Sequence, residues 1–452
     1  MKREKEDRSG YLFDNKSLAS LIIPLVIEQL LAVLVGMADS VMVANVGEAA
    51  VSGVSLVDNI MVLLINIFAA LATGGAVIAG QYLGRKKEEK ACQSATQLVW
   101  FITICSVIIT VIIYIAKDFI LHGVFGKIDA DVMDYANTYL LIVTASIPFI
   151  ALYNGAAAVF RAMGNSKVSM KVSIIMNLIN VTGNAVLIYG FHRGTEGVAI
   201  PTLVSRIVAA VMLTVLLCDQ SRLLHIEKTI RYRFDFKMIK RILGIGIPNG
   251  LENSMFQLGK ILVLSLVSTF GTYAIAANAV SNAVAQFQIL PGMAMSLAIT
   301  TVISRCTGAG DYTQVKYYTK KLMVITYICM AATIALIFFA LPFIVKIYHL
   351  TPVTAKVTEQ ILTFHGACAV LIWPVSFSLP SVFRAAGDVR FSMCTSIFSM
   401  WVFRIIFSYV LGRYLGLGVF GIWVAMIIDW CFRSILFLYR YFSGKWMGKA
   451  AV

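Results

Sequence analysis

The stretch Phe160-Arg161-Ala162-Met163-Gly164 recurs as Phe383-Arg384-Ala385-Ala386-Gly387. Around that pair the chain repeats itself with an offset of 224 residues, slipped by one at this point. Ile23-Pro24 returns as Ile247-Pro248, Glu28 as Glu252, Gly47 as Gly271, Gly84 as Gly308 and Gly197 as Gly421. Ser169-Met170 returns as Ser392-Met393. Each copy is long enough for several membrane-spanning helices, so the repeat predicts two similar lobes.

Composition sets the environment of those lobes. Of 452 residues, 59% are hydrophobic and only 13% charged, against about 25% charged in a soluble domain. Apolar runs such as 98–116, 322–345 and 391–412 approach the roughly 20 residues that cross a bilayer as a helix. The alternation of a membrane barrel is absent. The sequence predicts twelve helices near 18–46, 51–83, 95–116, 135–160, 172–190, 196–218, 242–270, 275–303, 322–341, 361–383, 391–412 and 420–440. Met1 to Arg8 carries both charge signs, and the first apolar stretch exceeds a signal h-region, so it is expected to remain as the first span.

Twelve spans put both termini on one side. Most of the Lys and Arg residues lie there, including Arg85-Lys86-Lys87 and the 219–241 linker with Lys228 and Arg231. The opposite loops hold Lys117, Lys127, Arg193, Lys346, Lys356 and Arg413. The positive-inside rule makes the termini cytoplasmic. The net charge of +15 is then a matter of topology and anionic lipid, not nucleic acid. The eight cysteines form no CxxC pair and read as small buried hydrophobes. The five histidines show no metal-ligand spacing, and no Walker A stretch is present.

Six helices per copy is an even number, so both copies enter the membrane from the same side. The expected fold is an all-α integral membrane protein. Its twelve transmembrane helices form two parallel six-helix lobes related by a pseudo-twofold axis along the membrane normal. The expected organisation is a tail (1–17), an N-lobe (18–218), a cytoplasmic linker (219–241), a C-lobe (242–440) and a second tail (441–452). Such lobes rock about a central cavity in alternating access. A channel is the competitor, less suited to twofold than to fourfold pseudosymmetry.

The chain resembles a bacterial member of the MATE (multidrug and toxic compound extrusion) family over about 17–440. The resemblance rests on Ile23-Pro24, Asp39 and Gly47, on Gln81-Tyr82-Leu83-Gly84, and on Phe160 to Ser166. It continues with Asn177, Asn180, Asn184, Leu187-Ile188-Tyr189-Gly190, Ala276-Ala277-Asn278-Ala279 and Phe383 to Gly387. It implies export of amphipathic, often cationic compounds, driven by H⁺ or Na⁺ moving inward, with no cofactor. It also implies that bending of the first helix at Pro24 is linked to ion binding.

Embedded charges are few, since each costs about 2.5–3.5 kcal/mol at a helix centre. Asp39 lies amid Val35-Gly36-Met37-Ala38 and Ser40-Val41-Met42. Low dielectric favours the neutral form of its carboxyl, which suits a site that gains and loses a proton; a carboxylate also ligates Na⁺. Asn177, Asn180 and Asn184 are spaced by three and four, hence on one helical face. Their amides suit a cation or interhelical hydrogen bonds worth about 0.6 kcal/mol each. The resemblance maps Asn180, Asn184 and Thr202 to an ion site with Asp39. Some family branches carry aspartate where Asn184 stands, which leaves Asp39 as the main carboxylate beside that row. A glutamate of the family's seventh span maps nearer Phe256 than Glu252, and no acid occurs from Leu371 to Arg384.

In the second copy Arg404 replaces Asn180 and opposes cation binding. Glu252, Lys260 and Arg404 form a candidate second-lobe polar site. Asp429 and Arg433 are spaced for a local ion pair, and Arg206 is expected to snorkel to the cytoplasm. Pro24 and Pro248 favour kinks; Pro291-Gly292, Pro374 and Pro380 are expected to break spans eight and ten. Met255, Phe256, Gln286, Phe287 and Trp373 are candidates for an adaptable substrate cavity. The resulting expectation is a monomeric, multi-pass antiporter of the bacterial inner membrane, not an enzyme. The alternatives are a flippase for a lipid-linked saccharide, which would favour many cavity Lys and Arg, and a channel or structural subunit.

Overall fold

The computed structural model describes residues 10–126, 128–226 and 233–452, so the expected positions of Met1 to Arg8, Lys127, Lys228 and Arg231 lie outside the described residues. Among the described residues there is no strand. The first copy supplies α1 (Asn15–Ala44), α2 (Glu48–Gly84), α3 (Glu88–Ile115), a bent α4 (Ala130–Thr144 and Ile147–Ala162), α5 (Ser166–Gly190) and α6 (Glu196–Leu217). The second supplies α7 (Phe236–Ser268), α8 (Thr272–Gly308), α9 (Tyr312–Ile347), α10 (Pro352–Ala386), α11 (Val389–Tyr414) and α12 (Gly418–Phe442). All six helices of each copy stand where the repeat predicts them.

Ten of these helices are long and apolar enough to span a membrane, and the bent α4 makes an eleventh. α7 is more polar, because Asn249, Glu252, Asn253, Gln257 and Lys260 lie on it. Outward stripes such as Leu336, Phe339, Phe343 and Ile347 on α9 are exposed. That much exposed apolar surface is stable against lipid and costly against water. α4 bends by 46° where Ala145-Ser146 interrupts it, and Pro148 beyond the break has no N–H to restore the ladder. α10 contains a π-helical turn, Pro374–Ser378, at its expected break. α8, by contrast, runs unbroken through Pro291-Gly292. The interruption expected there does not occur; instead Gly292 makes room for the ring of Trp373.

The repeated residues meet in space. In the N-lobe the Arg161 guanidinium lies 3.5 Å from Glu28 Oε1, and the Ser169 hydroxyl donates to Glu28 Oε2 at 3.1 Å. In the C-lobe Arg384 lies 3.5 Å from Glu252 Oε2, and the Ser392 hydroxyl donates to it at 3.3 Å. Each clamp ties the first helix of its lobe to the fourth and fifth. The C-lobe clamp has an extra cation, Arg433, 3.7 Å from Glu252 Oε1.

The lobes cross at α2 and α8. A methyl on Gly84 would meet the Arg305 carbonyl oxygen at 2.0 Å, and one on Gly308 would meet the Gln81 carbonyl oxygen at 2.0 Å. Gly84 and Gly308 are repeat partners, as are Gln81 and Arg305, so the contact is reciprocal about the pseudo-twofold axis. Inter-lobe hydrogen bonds gather at this same end. Gln81 Nε2 donates to the Ala385 carbonyl at 2.8 Å, Arg305 Nε to the Ala162 carbonyl at 3.1 Å, and the Ala451 N–H to Gln81 Oε1 at 2.9 Å.

Removing a buried carboxylate strands its cations, at a cost of about 3–5 kcal/mol. Glu252→Ala strands two guanidinium groups and Glu28→Ala one. Thermal unfolding in detergent is therefore expected to show a larger midpoint drop for Glu252→Ala than for Glu28→Ala. Drops of equal size would show that Arg433 does not depend on Glu252.

Candidate ion and substrate sites

The N-lobe site is assembled from α1, α5 and α6. Two residues four apart on α5 share a face, and they are Asn180 and Asn184. Asn184 Nδ2 donates to Asp39 Oδ1 at 2.7 Å and to Asn180 Oδ1 at 3.4 Å. Asn180 Nδ2 donates to Thr202 Oγ1 at 3.0 Å, and Thr202 donates to the Val198 carbonyl at 2.8 Å. The structure thus joins Asp39, Asn184, Asn180 and Thr202 in one hydrogen-bonded chain. Asn184 Oδ1 is buried and without a partner. Asn177 does not join; its amide turns to Ser173 at 3.4 Å.

Asp58, on α2, completes this site. It lines a cavity of about 160 Å³ together with Gly36, Asp39, Ser40 and Tyr139. The Tyr139 hydroxyl donates to Asp58 Oδ1 at 3.0 Å. Sequence reasoning passed over Asp58, although the cost of an intramembrane carboxylate marked it as well as Asp39. Arg206 also turns inward, correcting the expectation that it snorkels. Its Nη1 donates to Ser146 Oγ at 2.7 Å, at the break in α4, and it lies within electrostatic reach of Asp39 and Asp58. It stands mid-way along α6, where Ser146 and the two acids are its partners.

Pro24 lies inside a continuous α1. Lacking an N–H, it leaves the Ser20 carbonyl free. The Ser166 hydroxyl approaches that oxygen at 3.4 Å and the Leu21 carbonyl at 2.7 Å, stitching the proline turn to α5.

In the C-lobe, Glu252, Lys260, Arg404, Phe256, Gln286 and Trp373 line one cavity of about 330 Å³. Met255 and Phe287 are not among its lining residues. At about 100° per residue, Met255 falls outside the arc of α7 from Glu252 to Gln257. Phe287 faces away and packs beside Val284, Ile337 and Leu362. The cavity also holds His365, Arg384 and Arg433, so its cations are not limited to Lys260 and Arg404. Asp429 and Arg433 do not form the expected i,i+4 ion pair: Arg433 turns to Glu252 and the Ser376 carbonyl, and Asp429 accepts from the Ser399 hydroxyl. Of the cysteines, only Cys306 is buried.

The MatE family model matches residues 24–186 and 248–410, twice along the chain. The chain belongs to the MatE family. It is therefore a multi-pass membrane transporter. It is 27% identical to the uncharacterized transporter YisQ of Bacillus subtilis, over 96% of this chain and 95% of that one. It is 24% identical to the probable multidrug resistance protein NorM of Thermotoga maritima, over 97% and 94%. Its fold matches an outward-facing multidrug resistance MATE transporter of the MOP superfamily with a TM-score of 0.89 at 20% identity, covering 95% of both chains. The two family matches are offset by 224 residues, so this MatE protein carries one family unit per lobe.

Arg206→Gln leaves Asp39 and Asp58 without their shared guanidinium. A lower melting point in detergent near neutral pH is expected, with at least half the loss recovered on adding Asp58→Asn. Additive losses would show that Arg206 does not offset these acids.

Proposed function

We infer that this protein is a secondary antiporter that exports amphipathic compounds in exchange for H⁺ or Na⁺. The observation that supports it most is the hydrogen-bonded chain from Asp39 through Asn184 and Asn180 to Thr202. A carboxylate that accepts from a buried amide changes that bond when it takes up a proton or a cation. Asp39 lies on α1 and its partners lie on α5 and α6, so ion uptake alters how these three helices pack. Pro24, stitched to α5 through Ser166, is the turn of α1 that absorbs the change.

Topology follows from the charges. The lobes are bridged at the end that carries Arg85-Lys86-Lys87, and the positive-inside rule makes that end cytoplasmic. In this conformation the lobes are then held together at the cytoplasmic end. Substrate enters from the cytoplasm or inner leaflet in the opposite conformation, and ion entry from outside resets the transporter. The protein would act as a monomer in the bacterial inner membrane, with both termini and the linker near 219–241 cytoplasmic.

A flippase for a lipid-linked substrate is the second reading, and the four cationic side chains of the C-lobe cavity favour it. The two readings part on ion coupling. In proteoliposomes, efflux of ethidium and of naphthalene-2-sulfonate is measured under an H⁺ gradient and, separately, a Na⁺ gradient. One gradient is expected to drive efflux of at least one probe, with Asp39→Asn lowering the rate by at least tenfold. Undiminished gradient-driven efflux by Asp39→Asn overturns the role of Asp39, and movement indifferent to both gradients favours the flippase.

A further inference from the structure

The small acidic cavity of the N-lobe has a twin. Gly36, Asp39, Ser40, Val54, Asp58 and Val198 line it. Adding 224 to each number gives Lys260, Val263, Leu264, Asn278, Asn282 and Ile422. All six line one cavity of about 280 Å³ in the C-lobe, with Arg404. The duplication kept the cavity and inverted its charge. Asp39 becomes Val263 and Asp58 becomes Asn282, while Gly36 becomes Lys260 and Asn180 becomes Arg404.

The cations of the C-lobe are not all spoken for. Glu252 is engaged by Arg384 and Arg433. Asp429, held by Ser399, lies within electrostatic reach of Arg404 and Arg433 from inside the wall. Among the described residues no carboxylate lies within 4.0 Å of Lys260 or Arg404. Arg404 donates to the Met426 sulfur at 3.2 Å, a weak acceptor. Two adjacent cations with no carboxylate in ion-pair contact, and with Asp429 as the one acid within electrostatic reach of Arg404, leave positive charge at membrane depth that suits an anion.

A second observation disfavours a cationic substrate. Two of the aromatic rings that would attract one through their π-electrons already carry a cation of the protein's own. The Arg433 guanidinium lies 4.3 Å from the centre of the Phe377 ring and 4.9 Å from that of Phe256. Phe377 in turn stacks on Trp373 at 5.0 Å. What remains is an apolar wall beside two unpaired cations, since Lys260 and Arg404 line both this twin cavity and the larger aromatic one.

We propose that the C-lobe binds an amphipathic organic anion, its sulfonate, carboxylate or phosphate headgroup on Lys260 and Arg404 and its apolar body along Trp423 and Met426, which line both cavities. This rests on the transporter reading, names its substrate class, and departs from the cationic compounds that the family resemblance implies. A soluble organic anion and an anionic lipid share this chemistry.

Binding is tested apart from transport. The full chain in nanodiscs of zwitterionic lipid is titrated with naphthalene-2-sulfonate and with the size-matched cation 2-naphthyltrimethylammonium, read by tryptophan fluorescence. The sulfonate is expected to bind at least tenfold more tightly. Lys260→Gln and Arg404→Gln should each weaken it by about tenfold, the loss of one charge-assisted contact. Lys260→Glu should shift preference toward the cation, which shows that the variant is folded. Displacement of the sulfonate by phosphatidylglycerol in the disc assigns a lipid source, and its absence a soluble one. Cation binding as tight as the sulfonate's, or sulfonate binding that survives both Gln substitutions, overturns the proposal. Ion coupling is read separately, from whether an H⁺ or Na⁺ gradient drives transport by the unsubstituted chain, so its failure leaves the binding result standing.

Discussion

A carboxylate taken out of water has to meet a cation or a hydrogen-bond donor, and the whole arrangement of helices follows from where those partners stand. Glu28 binds Arg161 and Ser169; Glu252 binds Arg384 and Ser392. Each clamp fixes the first helix of a lobe against its fourth and fifth. Each also places a proline turn, Pro24 or Pro248, four residues before its glutamate. The clamps lie on the same side of the molecule as the Gly84 and Gly308 crossing, where no side chain keeps the lobes apart. One end of the bundle is thus held by ion pairs and close backbone contact, and freedom to move is left to the other.

Much of this was legible because duplication writes structure twice. Two Arg-Ala-X-Gly stretches, each with a serine and a glutamate at fixed offsets, mark residues that must meet in both lobes. The helical spacing of Asn180 and Asn184 placed them on one face, and Asp39 was costly enough to need them. What the sequence left unread concerns direction. Arg206 can reach a membrane surface or a neighbouring helix, and only the break in α4 at Ser146 decides for the neighbour. Asp429 and Arg433 are correctly spaced for each other, yet tertiary partners, Ser399 and Glu252, win. Met255 and Phe287 have suitable chemistry and the wrong azimuth, which counting 100° per residue from Glu252 and Gln286 would have revealed.

Asp58 is a different kind of omission. Its cost in the membrane was as readable as that of Asp39, and its repeat partner Asn282 was already a hint that the position faces a cavity. With Asp58 and Arg206 included, the N-lobe site holds two acids and one fixed base. Arg206 offsets one negative charge, so a single further positive charge, a proton or Na⁺, completes neutrality there. On the proposed antiporter reading, that balance accommodates one ion most cheaply.

On the proposed reading of an ion-coupled transporter with an anionic substrate, inverting the charge of one cavity also separates the two occupants. Had both cavities stayed acidic, neither would suit an organic anion, and a coupling cation would have two alike places to bind. With acids in the N-lobe and unpaired bases in the C-lobe, each occupant has one place to stand. On that reading, coupling between them runs through the helices, which requires that each occupant favour a different arrangement of them. α1, which carries Asp39, packs against α8, which lines the C-lobe cavity, and α2, which carries Asp58, packs against α7, which carries Lys260. These contacts lie away from the two cavities, where Leu21 and Leu25 of α1 share a core with Ala294 and Met295 of α8 and Gly74 of α2 meets Gly246 of α7, so on that reading a shift at Asp39 or Asp58 reaches the substrate walls along the length of the helices.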